Sequence, residues 1–266
     1  MTLLRCALAA LLLAAAVAAA AAAPPPPAAR WQVDWGDQYC SLIRVPDRDT
    51  RFVVALRVLP GGNYAELYLV PHDFATAPER IDSLQLVPSG RTFDVTEGHD
   101  YAVPGANRLS RLPVDFLDAF AGAQAIALRR HGETAVQIPL ANSAAAAGAL
   151  RQCISDAMHQ WGVDEAAWRA LSRHPRTINA VGIEDIDYPY GAVRAHQQGR
   201  VVMRVEVSAE GRATACVPVA TSHTAAIDAA ACHAAMTRGR FEPALNAAGQ
   251  PIAAPFITTV GFILPD

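Results

Sequence analysis

The chain has 266 residues, 52% hydrophobic and 18% charged, which suits two modest domains and argues against disorder over most of its length. Its formal charge is −3, and its basic residues, all of them Arg, form no patch, so nucleic acid is set aside as a partner. Alanine supplies much of the hydrophobic fraction and adds little core volume.

Residues 1–23 read as an export signal: Arg5 provides the positive start, Leu11 to Leu13 and an alanine run the apolar core, and Ala-x-Ala sites follow about Ala18. An uncleaved anchor is the alternative, although the apolar stretch Ala7 to Ala23 is short for a span and mostly weakly apolar Ala. Any membrane association would rest on this N-terminal segment alone. Pro24 to Pro27 open a stiff, extended spacer over residues 24–30. Cys6 lies inside the signal and lacks the small residues that lipidation would need before it.

The mature chain then holds four cysteines, Cys40, Cys153, Cys216 and Cys232, and an even count in an exported chain favours disulfides. Three pairings are open. Cys40–Cys153 with Cys216–Cys232 keeps each bridge within one candidate domain and is the preferred one. On the chain-entropy account the long loop contributes about 4–5 kcal/mol and the short one about 3 kcal/mol. Metal binding is disfavoured by the lack of any C-x-x-C or H-x-x-x-H spacing, and no cofactor is expected.

Residues 31–168 read as an N-terminal α+β domain dense in strand signals. Phe52 to Leu59 and Ala65 to Val70 flank the turn cluster Pro60-Gly61-Gly62-Asn63 and should pair as a hairpin. Ser83 to Val87 with Thr92 to Val95, and Ala125 to Arg130 with Thr134 to Ile138, predict two more. Pro113 to Ala121 has helical spacing, with Pro113 suited to the first turn. Ser143 to Trp161 is the strongest helix, with Ser143 as its cap, a stripe of Leu150, Cys153, Ile154, Met158 (or Ala157) and Trp161, and Gly162 as its stop. Trp31 and Trp35 are read as core packing. Residues 169–186 form a linker broken by His174-Pro175 and carrying an acidic run to Asp187.

From residue 187 to 266 the pattern sharpens. The segment opens on Tyr188-Pro189. Gly199 to Val207 alternates, with Val201, Met203, Val205 and Val207 on one face. Ser208 to Gly211 makes a tight turn, Arg212 to Val219 returns as a strand, and Thr224 to Arg238 forms a helix capped by Thr224 or Ser222 and ended by Gly239. Arg240-Phe241-Glu242-Pro243-Ala244 leads out, Asn246 to Gln250 turns, and Phe256 to Ile263 is a last strand.

In this order the pieces resemble the C-terminal domain of the TonB energy-transducer family over about residues 187–264. The fold class is therefore read as α+β: a β-rich N-terminal domain with a closing helix, from its own residue pattern, followed by a small ββαβ domain that the resemblance implies is TonB-like. Cys216 and Cys232 fit a subset of the family with a cysteine on the second strand and another on the helix. The resemblance also implies a periplasmic, non-catalytic role, with inner-membrane anchoring facing the periplasm as the alternative. The expected partner is an envelope protein or receptor peptide, held by β-strand addition in connection with outer-membrane transport. The implied site is Tyr188 and Pro189 with the last-strand residues Phe256, Ile257, Thr258, Thr259 and Val260. The weak anchor, the short spacer and a folded domain in the spacer's place depart from a working transducer and favour a binding or scaffolding role.

Enzyme readings have less support. Cys232 and His233 are neighbours on a helix and point about 100° apart, so they are no dyad. His72, His99, His131, His159, His174, His196 and His223 are scattered, and the pairs Asp34/Asp37 and Asp185/Asp187 have spacings too common to count. The catalytic and phosphate-binding motifs G-x-S-x-G, H-E-x-x-H and the P-loop are absent from the sequence. The alternative function is a secreted enzyme or inhibitor whose activity resides in residues 31–168.

Overall fold

A computed structural model of the protein describes residues 30–45, 52–71, 80–99, 106–113, 115–178 and 187–264. The export signal over residues 1–23, the prolines 24–27, His72 and Asp185 lie outside the described residues.

The N-terminal strands are β1 (Arg30–Trp35), β2 (Cys40–Val45), β3 (Phe52–Val58), β4 (Tyr64–Pro71), β5 (Ser83–Val87), β6 (Thr92–Asp94), β7 (Thr96–His99) and β8 (Asn107–Pro113). Helix α1 (Phe116–Ala121) follows, then β9 (Ala125–Arg130), β10 (Glu133–Pro139), α2 (Ser143–Gln160) and α3 (Glu165–Arg169). They build a six-stranded antiparallel sheet, β1-β2-β3-β4-β8-β7, and a four-stranded one, β10-β9-β5-β6. The three hairpins expected from turn chemistry form as β3–β4, β5–β6 and β9–β10. Strict alternation along β3 turns Val54, Leu56 and Val58 inward, and one apolar cluster joins them to Leu84, Leu86, Ile126 and Leu128 of the second sheet, Phe116 and Phe120 of α1, and Leu150 of α2.

Some details depart from the sequence reading. Pro113 is not in a first helical turn; it closes β8 opposite Tyr64, a strand end where its missing N–H costs little. The cap position of α2 is Asn142, in the left-handed region at φ 58. Ser143 is the first helical residue, and its hydroxyl donates to the carbonyls of Ala121 and Ala123 (3.2 and 2.6 Å), tying α2 to the end of α1. Trp31 packs edge-on to Phe120 at 5.7 Å and its indole donates to the Ala141 carbonyl at 2.6 Å. Trp35, at the end of β1, is 55% exposed, so only the first tryptophan serves the core.

The remaining elements are β11 (Arg176–Thr177), α4 (Tyr190–Arg194), β12 (Gly199–Val207), β13 (Ala213–Ala220), α5 (Ala225–Arg238), β14 (Phe241–Glu242), β15 (Ala244–Leu245), β16 (Pro251–Ile252) and β17 (Ala254–Phe262). Strands pair in the order β13-β12-β17, all antiparallel. Gly211 takes φ 76 in the β12–β13 turn, where a side chain would be strained. Its added Cβ would also lie 2.1 Å from the Phe241 carbonyl oxygen, so β14 can lie against the turn. At the start of α5 the Thr224 side chain makes no capping bond. Instead Asp228 accepts from the Ser222 N–H at 2.8 Å, so a first-turn carboxylate fixes the approach to the helix.

The three-stranded sheet has two covered faces. Val201, Met203, Val205, Val207, Phe256 and Val260 pack under Ile227, Ala231 and Ala235 of α5. On the opposite face Val202, Ala220 and Ile257 pack against Met158, Trp161 and Val163 at the end of α2. The second face thus joins the domains through an apolar patch. Arg204, on that face, adds to the join by donating to the carbonyls of Trp161 and Gly162, where the negative end of α2 favours a cation.

Both preferred disulfides are formed. Cys40–Cys153 fastens α2 to β2 with Cα atoms 5.9 Å apart, and Cys216–Cys232 fastens α5 to β13 with Cα atoms 5.5 Å apart. Both separations lie within the span a disulfide bridges. Among the described residues no helix is long and apolar enough to cross a membrane.

Candidate functional site

Strand β17 pairs with β12 over its whole length, from Ala254 opposite Val207 to Phe262 opposite Gly199. Among the described residues no strand pairs with its other edge. That edge opens into a cleft of about 680 Å³, to which Phe256, Ile257, Thr258 and Thr259 contribute.

The second wall belongs to the N-terminal domain. The β3–β4 turn brings Leu59, Gly62, Asn63 and Tyr64 to the cleft. Gly61 makes the approach feasible: it takes φ 70, and a Cβ there would stand 2.8 Å from the Ile257 side chain. The turn that the sequence marks as mere punctuation is therefore packed against the last strand of the other domain. Behind it, Arg57 lies 4.5 Å over the rings of both Tyr39 and Tyr68. Arg57 donates to Glu66 at 2.8 and 3.1 Å and also bonds the Tyr68 hydroxyl. Burial works against its charge, yet the bond to Glu66 and the fields of Tyr68, Glu66 and Tyr39 outweigh it, and the guanidinium ends above its ordinary pKa. Arg108 reaches the other Glu66 oxygen at 3.4 Å.

A strap from the interdomain segment closes the third side. Ser172 and Arg173 bond to Leu245, β11 pairs with β14 so that Arg176 faces Glu242, and the Ile178 N–H donates to the Arg240 carbonyl at 2.8 Å. Asn63 donates to the Pro175 carbonyl at 3.1 Å and ties the strap to the β3–β4 turn. Arg176 pairs with Glu242 at 2.5 Å, holding that carboxyl below its usual range. Part of the expected linker is thus an added two-stranded element of the C-terminal domain. The sequence carried little signal for it: two residues of strand leave no periodicity to read.

Of the residues that resemblance singled out, the structure brings Phe256, Ile257, Thr258 and Thr259 together at the cleft. Val260 faces the α5 core. Tyr188 packs edge-on to Phe262 at 5.2 Å and its hydroxyl donates to the Gln197 carbonyl at 2.7 Å. Pro189 stands at the cap of α4. Neither residue is among those lining the cleft, and only Tyr188 touches β17, at its far end. The contributions of Tyr39, Arg57, Tyr64 and Ile178 were missed, because side chains from separate domains share no local pattern.

His174 sits in the strap, stacked on Trp168 with ring centroids 3.7 Å apart and bonded to the Trp168 carbonyl at 3.1 Å. Burial lowers its pKa from the ordinary 6.5, and the carbonyl opposes that shift only in part. A folded-state value below the unfolded one means that the unfolded chain takes up the proton first. The stabilising contribution is therefore complete above 6.5 and is lost as pH falls below it. Melting midpoints recorded between about pH 7.5 and pH 5.5 should fall, and His174→Asn should flatten that slope. An equal slope in the variant would remove His174 as the cause.

A ββαβ sheet whose β17 edge is unpaired among the described residues and faces a cleft is the geometry of a protein-interacting module. Residues 184–264 match the family model of the Gram-negative bacterial TonB protein C-terminal, so this part of the chain is a TonB-like envelope domain, of a kind that interacts with outer-membrane receptors. No curated protein and no solved structure matches the chain.

Proposed function

We propose that this is a periplasmic, non-catalytic protein that takes an extended segment of an envelope protein or receptor as an added strand on β17. One observation carries the reading: the β17 edge has no strand partner among the described residues and borders a cleft large enough for a peptide. An unpaired edge presents a row of N–H and C=O groups, and a foreign strand satisfies them while its alternate side chains meet the two walls. Phe256 to Thr259 form the contact, Tyr188 on Phe262 and Val260 in the α5 core brace the strand, and Pro189 only caps α4. The two carboxylates lining the cleft, Glu66 and Glu242, are each ion-paired to arginine, which supports a binding role over acid–base chemistry there. The role in outer-membrane transport rests on the family match.

Titration of the mature protein with peptides from the periplasm-facing N-termini of outer-membrane receptors tests this. Amide resonances of Phe256 to Thr259 should shift and become protected from exchange. Unchanged amides at millimolar peptide would count against strand addition.

A further inference from the structure

We propose that the N-terminal domain is the second half of the ligand site, and that it selects an uncharged extended segment with apolar side chains on both faces. The proposal rests on the strand-addition reading and goes beyond it, because it assigns ligand selection to a domain outside the matched region. Two large apolar side chains flank the free edge of β17 in the cleft, Tyr64 from the N-terminal domain and Ile178 from the strap. They are 54% and 66% exposed, and beside the open edge they offer apolar surface that a ligand side chain can cover.

Both are held in place before any ligand arrives. Tyr64 opens β4 opposite Pro113, and the backbone N–H of Ile178 is bonded to Arg240. An added strand directs successive side chains to opposite sides of the sheet. One set would meet Tyr64 and Leu59 of the β3–β4 turn, and the other Ile178 of the strap. The four cleft residues of β17 span about 13 Å at roughly 3.3 Å per residue, which suits a core of four or five ligand residues.

The charges in the cleft argue for a neutral ligand. Arg57 is already paired with Glu66, and Arg176 with Glu242. A charged ligand side chain entering this cleft would lose water and find no unpaired counter-ion among the described lining residues, so a neutral one is favoured.

The test uses the mature full chain and a positional-scanning library of N-acetylated, C-amidated octapeptides. The tightest members should be uncharged and rich in β-branched or aromatic residues. Tyr64→Ser and Ile178→Ser should each weaken them about tenfold, as loss of an apolar anchor does. Both side chains are exposed, so the variants should melt with the parent protein, and the Phe256–Thr259 amide shifts should persist at higher peptide concentration. Unchanged affinity in both variants with the β17 shifts intact would overturn the proposal while sparing strand addition, and so would tight binders that share a charged residue. A library in which no member shifts the β17 amides would overturn both.

Discussion

Joint replacement of Cys40 and Cys153 by Ala should cost the protein about 4–5 kcal/mol of stability, the largest loss expected from any surgical change to the chain. The bridge closes a sequence separation of 113 residues, and the entropy it removes from the unfolded chain grows with that length. It also lies where α2 meets the sheet. Cys40 and Cys153 are 1% and 2% exposed and belong to the cluster that includes Leu42 and Leu150, so Ala at both positions leaves a void as well. Urea unfolding of the oxidised proteins, followed by tryptophan fluorescence, checks this. The shorter Cys216–Cys232 loop, with a separation of 16, should lose about 3 kcal/mol when opened in the same way. A loss below about 1 kcal/mol for the long bridge would show that packing alone seats α2.

Val202→Asp should lower stability by about 4 kcal/mol and part the two domains. Val202 is fully buried in the patch with Met158, Trp161 and Ile257. A carboxylate there must be desolvated, become protonated, or reach water by opening the interface. The third route is available because the opposite face of the same strand keeps its own cover under α5. A single melting transition should therefore split in two, and the radius of gyration in solution should rise. Val201→Asp makes the contrast: that side chain faces α5, where relief requires unfolding the ββαβ sheet itself. The parted Val202→Asp protein should also lose the contribution of Tyr64 to peptide binding, since the β3–β4 turn would leave β17. One unchanged transition would mean that the apolar patch contributes little to domain association.

Much of this architecture was legible in the residues. The three N-terminal hairpins form where Gly- and Pro-rich turns separate β-rich runs, because a hairpin is a local event decided by a few neighbouring residues. Helix α2 follows from its apolar spacing, α5 from its cap candidates and the Gly239 stop, and both disulfides from keeping each bridge inside one domain. The ββαβ order was legible because each element carries its own period and its own stop signal. Capping was less so: Asn142 rather than Ser143 starts α2, because the Ser143 hydroxyl is drawn away to carbonyls at the end of α1. No local rule anticipates that competition.

The order of strands in the two N-terminal sheets was not legible. Pairing β4 with β8 and β5 with β9 joins segments far apart in the chain, and apolar alternation states which face is buried without naming the neighbour. The site divides along the same line. That Phe256 to Thr259 belong to a strand, and through the family pattern to an edge, could be read from the chain. That this edge looks across a cleft at Tyr64, with Ile178 beside it, depends on a glycine turn seated against Ile257 and on a strap hydrogen-bonded to Arg240 and Leu245. Periodicity and turn chemistry act over a few residues and so determined the elements, the bridges and the β17 strand. The burial of the second sheet face against α2 is a long-range packing solution, and only the tertiary structure could decide that the N-terminal domain stands at the open edge.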